Sequence, residues 1–210
     1  MSKSFTLTRI GGPVGLLGSV LVISALLFGV LFPNNNLPSA PVYGVGALLL
    51  LVNVASLLLE RKGSPKALAV LSLAVVLLSL AVVTTYAVLD TLARGSVENA
   101  WYVLVTALLL TVLGMSIYAI TALVARALPV WVGLPLAFTG IALLVVTLGV
   151  SSGLFNLRFS SDERLVNVAT LVLMLTFFAM WGLMSLISLR GTVDESSASP
   201  DLSPRPGVTI

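Results

Sequence analysis

The sequence predicts an all-α polytopic membrane protein, a bundle of six transmembrane helices joined by short loops. The first observation is composition: 58% of the 210 residues are hydrophobic, 9% are charged, and the mean hydropathy is +1.13. Soluble domains are about 45–50% apolar and about 25% charged, so this chain has too little charge to cover a water-facing surface. The second observation is that the charged residues fall between long uncharged runs. The third is that turn-forming residues lie between these runs as well.

The first two spans lie in one run without charge, residues 10–59. A transmembrane helix needs about 20 apolar residues, so this run is too long for one helix. It is interrupted by "FPNNNLPSAP", residues 32–41, where three Pro and three consecutive Asn break a helix. We therefore predict spans at 12–32 and 41–59, the first retained because its apolar run exceeds that of a signal peptide.

The other four spans each occupy one uncharged run. Gly63, Ser64 and Pro65 form the turn after the second span, and the third follows at 67–89. The remaining predicted spans are 101–124, 130–150 and 166–188. Pro135 lies a few residues inside the fifth span and predicts a kink there. Residues 1–190 thus form a six-span domain.

From Gly191 the composition becomes rich in Ser, Pro and acidic residues. We predict a disordered cytoplasmic tail at 191–210.

The distribution of Lys and Arg predicts the orientation, since cytoplasmic loops carry an excess of them. Six spans place both termini on one side, and eight basic residues lie there against three on the other. Arg61, Lys62 and Lys66 in the loop after the second span are three of the eight. The prediction is a multi-pass protein of the cell membrane with cytoplasmic N and C termini.

Several functions are excluded or disfavoured by what the sequence lacks. It has no Cys and no His, which removes disulfides, thiolate chemistry and the commonest metal and haem ligands, and we expect no metal and no cofactor. A net charge of +3 does not suggest nucleic acid. No charged residue lies within a predicted span, so we expect no catalytic residues and no enzyme activity. A membrane-surface enzyme would have to use Asp90, Glu98, Asp162 or Glu163.

Neutral polar residues in the spans are the candidates for a binding site: Asn53, with Ser56 on the same helix face, Ser79, Thr111, Thr139 and Thr176. Together such groups could line a polar site at the midplane, where transporters commonly bind substrate. The competing interpretation is structural: Ser and Thr bond to their own helix backbone, and polar side chains bridge helices.

A face of small residues on the first span predicts helix packing. Gly11, Gly15 and Ser19 lie four apart, a spacing that lets two helix backbones approach closely.

The segment "LLLERKGSPKALAVLSL" is similar to the short basic loop of major facilitator transporters. Here Ala55 or Ser56 stands near the place of that family's Gly, and Glu60 replaces its Asp. Only half of that family's twelve helices are present, so the resemblance assigns no family.

Two functions remain open. The leading one is an accessory or scaffolding subunit of a larger membrane complex, with the lipid bilayer and other membrane protein subunits as partners. The alternative is a permease, or the substrate-binding membrane subunit of a transporter, for a small neutral or apolar solute.

Overall fold

The structure is a computed structural model that describes residues 4–31, 39–60, 67–92, 100–151 and 160–197. Within these ranges every regular element is a helix: α1 (Ser4–Leu31), α2 (Ser39–Glu60), α3 (Ala67–Leu92), α4 (Ala100–Val124), α5 (Val130–Ser151) and α6 (Ser160–Ser197). Each contains an apolar stretch long enough to cross a membrane. The predicted six-helix transmembrane bundle is confirmed.

The helix ends differ from the predicted span ends at α1 and α6. The apolar stretches, Ile10–Phe28 and Val166–Ile187, lie close to the predicted spans, but α1 begins at Ser4 and α6 extends to Ser197. Hydropathy detects the part of a helix that lies in hydrocarbon, whereas the backbone can continue as a helix in water. The α6 helix therefore passes Gly191, the start of the predicted tail. Residues 198–210 lie outside the described part of the chain.

The helices form a closed ring in chain order. Each helix packs against its neighbours in sequence, and α6 packs against α1. Along the α1–α6 contact, Gly15 lies opposite Ser185 and Ser19 opposite Gly182, so residue numbers fall on one helix as they rise on the other. These two helices are therefore antiparallel, and the start of α1 lies at the same end of the bundle as the end of α6.

Apolar side chains fill the interior of the ring. One continuous core includes Leu50, Leu73, Met115, Leu136 and Phe177, from five different helices, and all are fully buried. All six helices also expose large apolar side chains outward. Such a surface is unfavourable in water and suits lipid.

Candidate functional site

Asn53 of α2 is the polar side chain that joins the most helices in the described structure. Its side chain is 1% exposed. Asn53 Nδ2 donates to Gly11 O of α1 at 2.9 Å, and Trp181 Nε1 of α6 donates to Asn53 Oδ1 at 3.0 Å. One amide therefore connects α1, α2 and α6, and both of its ends have partners.

Two serines complete the polar contacts around this amide. Ser56 Oγ donates to Asn53 O at 2.8 Å. Ser185 Oγ lies 3.0 Å from Trp181 O and 3.3 Å from Asn53 Oδ1. Because a hydroxyl carries one hydrogen, the shorter contact to the backbone carbonyl takes it, and the indole of Trp181 is the main donor to Asn53. We call Gly11, Gly15, Asn53, Ser56, Trp181 and Ser185 the Asn53 cluster.

The aromatic residues of α6 hold the Trp181 ring. Its ring is stacked on that of Phe178, with centroids 6.1 Å apart and planes at 9°. Phe177 meets it edge-on at 6.0 Å and 86°. Edge-to-face and offset-stacked arrangements are the favourable ones for aromatic pairs. They help to fix the direction of the indole N–H toward α2.

The small residues of α1 lie against this cluster. A Cβ atom at Gly15 would lie 2.5 Å from Asn53 Cγ, from Asn53 Nδ2 and from Ser185 Oγ, so only glycine fits without a shift. A Cβ at Gly11 would overlap the Ser56 side chain. The three small residues that the sequence analysis selected therefore face α2 and α6, with Ser19 opposite Gly182.

Ser19 differs from the other buried hydroxyls. Its side chain is 1% exposed, and its Oγ is the one buried side-chain polar atom in the described part of the chain without a hydrogen-bond partner. An unpaired buried hydroxyl costs about 1–3 kcal/mol. The close contact between α1 and α6 thus leaves the Ser19 hydroxyl without a hydrogen bond.

The Asn53 cluster lies toward one end of the bundle, although Asn53 itself is three residues, about 4.5 Å, from the middle of the apolar stretch Pro41–Leu59. Its α2 members, Asn53 and Ser56, are six and three residues from Leu59, where the apolar stretch of α2 ends. At 1.5 Å per residue the deepest of these positions is about 9 Å from that end. The end concerned is the one that holds the start of α1.

The three predicted threonines are hydrogen-bonded elsewhere than to Asn53. Thr111 lies 2.9 Å from both Ser79 Oγ and Ala107 O. Thr139 donates to Pro135 O at 2.7 Å, and Thr176 donates to Val172 O at 2.8 Å, in each case within its own helix. No hydrogen bond in the described structure connects any of the three to Asn53 or to one another.

The charged candidates lie largely outside the described side chains. Arg61, Lys62 and Lys66 fall in a segment that the structure does not describe, as does Glu98, and the side chains of Asp162 and Glu163 are not described either. Asp90, near the end of α3, is half-buried. Among the described residues no group of three or more His, Cys, Asp or Glu side chains could hold a metal ion.

Trp181, the main partner of Asn53, was not among the residues predicted from the sequence. A signal was present, because a tryptophan within an apolar stretch needs an acceptor for its N–H, and Asn53 offers a buried amide. The cluster contains amide, indole and hydroxyl groups, none of which is an acid or base near neutral pH. Its chemistry suits helix-to-helix hydrogen bonding. In comparisons with known proteins, no family model, curated protein or solved structure matches the chain.

Proposed function

We propose that this protein is a non-catalytic accessory or scaffolding subunit of a larger membrane complex. The observation that carries the proposal is that the candidate polar groups within the spans are already hydrogen-bonded inside the bundle. Asn53 is bonded to α1 and α6, and the hydroxyls of Thr111, Thr139 and Thr176 bond to carbonyls of their own helices. A partner subunit would therefore bind to the outer surface of the bundle.

The permease alternative requires polar groups that are free to contact a solute. The four polar residues that suggested it already have hydrogen-bond partners. No hydrogen bond in the described structure joins any two of the four. Nothing in the described residues favours a permease over a packing subunit. The same four residues therefore support the subunit as the preferred function.

Co-purification tests the subunit proposal. The tagged full-length chain would be extracted in a mild detergent, and bound membrane proteins would be quantified by mass spectrometry. We expect one protein at near-stoichiometric amount, absent from an unrelated tagged six-span protein. Recovery of lipid alone in both samples contradicts the proposal.

Outward-facing variants would locate the contact. Leu78 of α3, Phe138 of α5 and Val172 of α6 are 69%, 68% and 54% exposed. Substituting each singly with Trp adds bulk outside the core without touching the Asn53 cluster. We expect one of the three variants to lose the partner while the other two, as matched controls, retain it.

We further propose that the termini are cytoplasmic in the cell membrane, as the excess of Lys and Arg indicates. The antiparallel contact of α1 and α6 supports placing both termini on one side. Because the chain has no Cys, Asn35→Cys and Ser64→Cys are single reporters for an impermeant thiol reagent. In intact cells only Asn35→Cys should be labelled, and labelling of Ser64→Cys from outside contradicts the orientation.

A further inference from the structure

The turn between α4 and α5 has an unusual residue at its tightest point. Ala127 N–H donates to Ala122 O at 2.8 Å, and Arg126 N–H donates to Leu123 O at 2.9 Å. This pair of bonds is the Schellman closure of a helix, whose central residue adopts a left-handed backbone. Arg126 has a φ of 54° and is the one non-glycine residue with positive φ in the described chain.

Arginine is an unfavourable choice at such a position. A side chain with a Cβ atom disfavours the left-handed conformation, and glycine is the usual residue there. This energetic cost, which we call the backbone handicap, corresponds to roughly a fivefold decrease in the folding equilibrium constant. The chain has 17 glycines at other positions. We therefore expect the arginine side chain at this turn to make an interaction that glycine cannot make.

That contribution is charge. Arg126 is the only charged side chain between residues 99 and 157, and it is exposed. No described residue forms an ion pair or side-chain hydrogen bond with its guanidinium. Its guanidinium is therefore available to an anionic group outside the bundle.

The surroundings of the turn are those of a membrane interface. Val124, Val130 and Trp131, on either side of the turn, are 68%, 67% and 61% exposed, an apolar surface that suits lipid. Leu128 packs against the core and holds the turn in place. Tryptophan is typical of the headgroup level, and arginine pairs with phosphate through two parallel N–H bonds.

We propose that Arg126 binds the headgroup of an anionic phospholipid at the α4–α5 turn, and that this contact offsets the unfavourable backbone. Charge complementarity identifies the ligand as an anionic headgroup. The free energy gained by one basic residue near an anionic surface is about equal to the cost of the left-handed backbone. The two effects are separable, because the backbone handicap is present in any lipid and the headgroup contact only in an anionic one.

Reversible unfolding in vesicles of phosphatidylcholine or phosphatidylglycerol tests the proposal with Arg126→Gly, Arg126→Asn and Arg126→Lys. In phosphatidylcholine, Arg126→Gly should raise the folding equilibrium about fivefold over the natural chain. In phosphatidylglycerol that advantage should disappear at low salt and return as salt screens the headgroups. Arg126→Lys keeps both charge and backbone handicap and should follow the natural chain in both lipids.

A direct count of bound lipid separates the headgroup contact from any change in folding. By native mass spectrometry, the natural chain and Arg126→Lys should retain one more phosphatidylglycerol than Arg126→Gly and Arg126→Asn. An equal advantage of Arg126→Gly in both lipids, or equal lipid retention by all four proteins, overturns the proposal.

Discussion

At the scale of single residues, the Asn53 amide is the most informative side chain. It accepts from Trp181 Nε1 and donates to Gly11 O, so its removal leaves an indole N–H unpaired in an apolar interior. We expect Asn53→Leu, which keeps a similar volume, to lower the free energy of unfolding by about 1–2 kcal/mol. Unfolding in mixed micelles, followed by tryptophan fluorescence, would measure the loss.

Thr176→Val is the matched control for this change. Its hydroxyl bonds only to Val172 O of the same helix, so no contact between helices is removed. We expect the free energy of unfolding to change by less than about 0.5 kcal/mol. Equal effects of the two substitutions would mean that the bonds of Asn53 do not stabilise the bundle.

Gly15 tests whether α1 must approach this closely. Gly15→Ala places a methyl group 2.5 Å from the Asn53 side chain and from Ser185 Oγ. We expect a loss of about 1–3 kcal/mol in the free energy of unfolding, because the helices must separate or the amide must leave its partners. The same micelle titration would measure it.

Gly182→Ala is the control on the same α1–α6 contact. Its nearest atoms, from Leu16 and Ser19, would be 3.3 Å away, which small shifts can accommodate. Its effect should be less than half that of Gly15→Ala. A larger loss from Gly182→Ala would contradict the arrangement of the two helices.

The sequence identified Asn53 as a polar residue within α2 but did not identify its partners. Trp181 is 128 residues away in sequence, and only the fold brings it to the amide. The threonines could not be assigned in advance, because the same hydroxyl suits either its own backbone or a neighbouring helix. In the structure they bond to the carbonyl oxygens of Ala107, Pro135 and Val172 in their own helices.

At the scale of helices, the α1–α2 contact depends on backbone approach. A Cβ on Gly18 would lie 3.0 Å from Gly46 O and from Leu50 N, which are backbone atoms that cannot rotate away. We expect Gly18→Val to reduce the free energy of unfolding by about 2–3 kcal/mol. The control is Ser24→Val on the exposed side of α1, which should change it by less than about 0.5 kcal/mol. Equal losses would mean that α1 is turned differently against α2.

The existence of each helix was predictable, whereas its packed face was not. In a soluble protein the alternation of polar and apolar residues shows which side is buried. Here both sides are apolar: Leu73 of α3 is fully buried and Leu71, two residues earlier, is 62% exposed. Small residues gave a partial signal on α1, but Gly18 and Gly46 were not selected because glycine is common in membrane helices.

At the scale of the whole molecule, the α1–α6 contact closes the ring. Five of the six neighbouring pairs join helices that are consecutive in the chain, as short loops favour. The sixth joins the first helix to the last and can form only after all six are inserted. Nothing in the sequence alone specifies this contact, because a row of six helices would satisfy the same loops.

A designed disulfide tests ring closure directly. A Cβ on Gly182 would lie 3.3 Å from Ser19 Cβ, close to the roughly 3.5–4.5 Å between the Cβ atoms of a disulfide. Since the natural chain has no Cys, Ser19→Cys with Gly182→Cys should form one bond within the chain on mild oxidation. After cleavage by trypsin at the Lys and Arg residues between the two positions, the fragment with residue 19 and the fragment with residue 182 should separate on a gel only after reduction.

The matched control replaces Ser19 by the exposed Ser24. Ser24→Cys with Gly182→Cys should remain uncross-linked within the chain, because Ser24 lies on the outer side of α1. Fragments of the Ser19 pair that separate without reduction would show that α1 and α6 are not neighbours in the membrane. Cross-linked dimers of the Ser19 pair would instead show that α6 closes the ring of a second copy, which also contradicts closure within one chain.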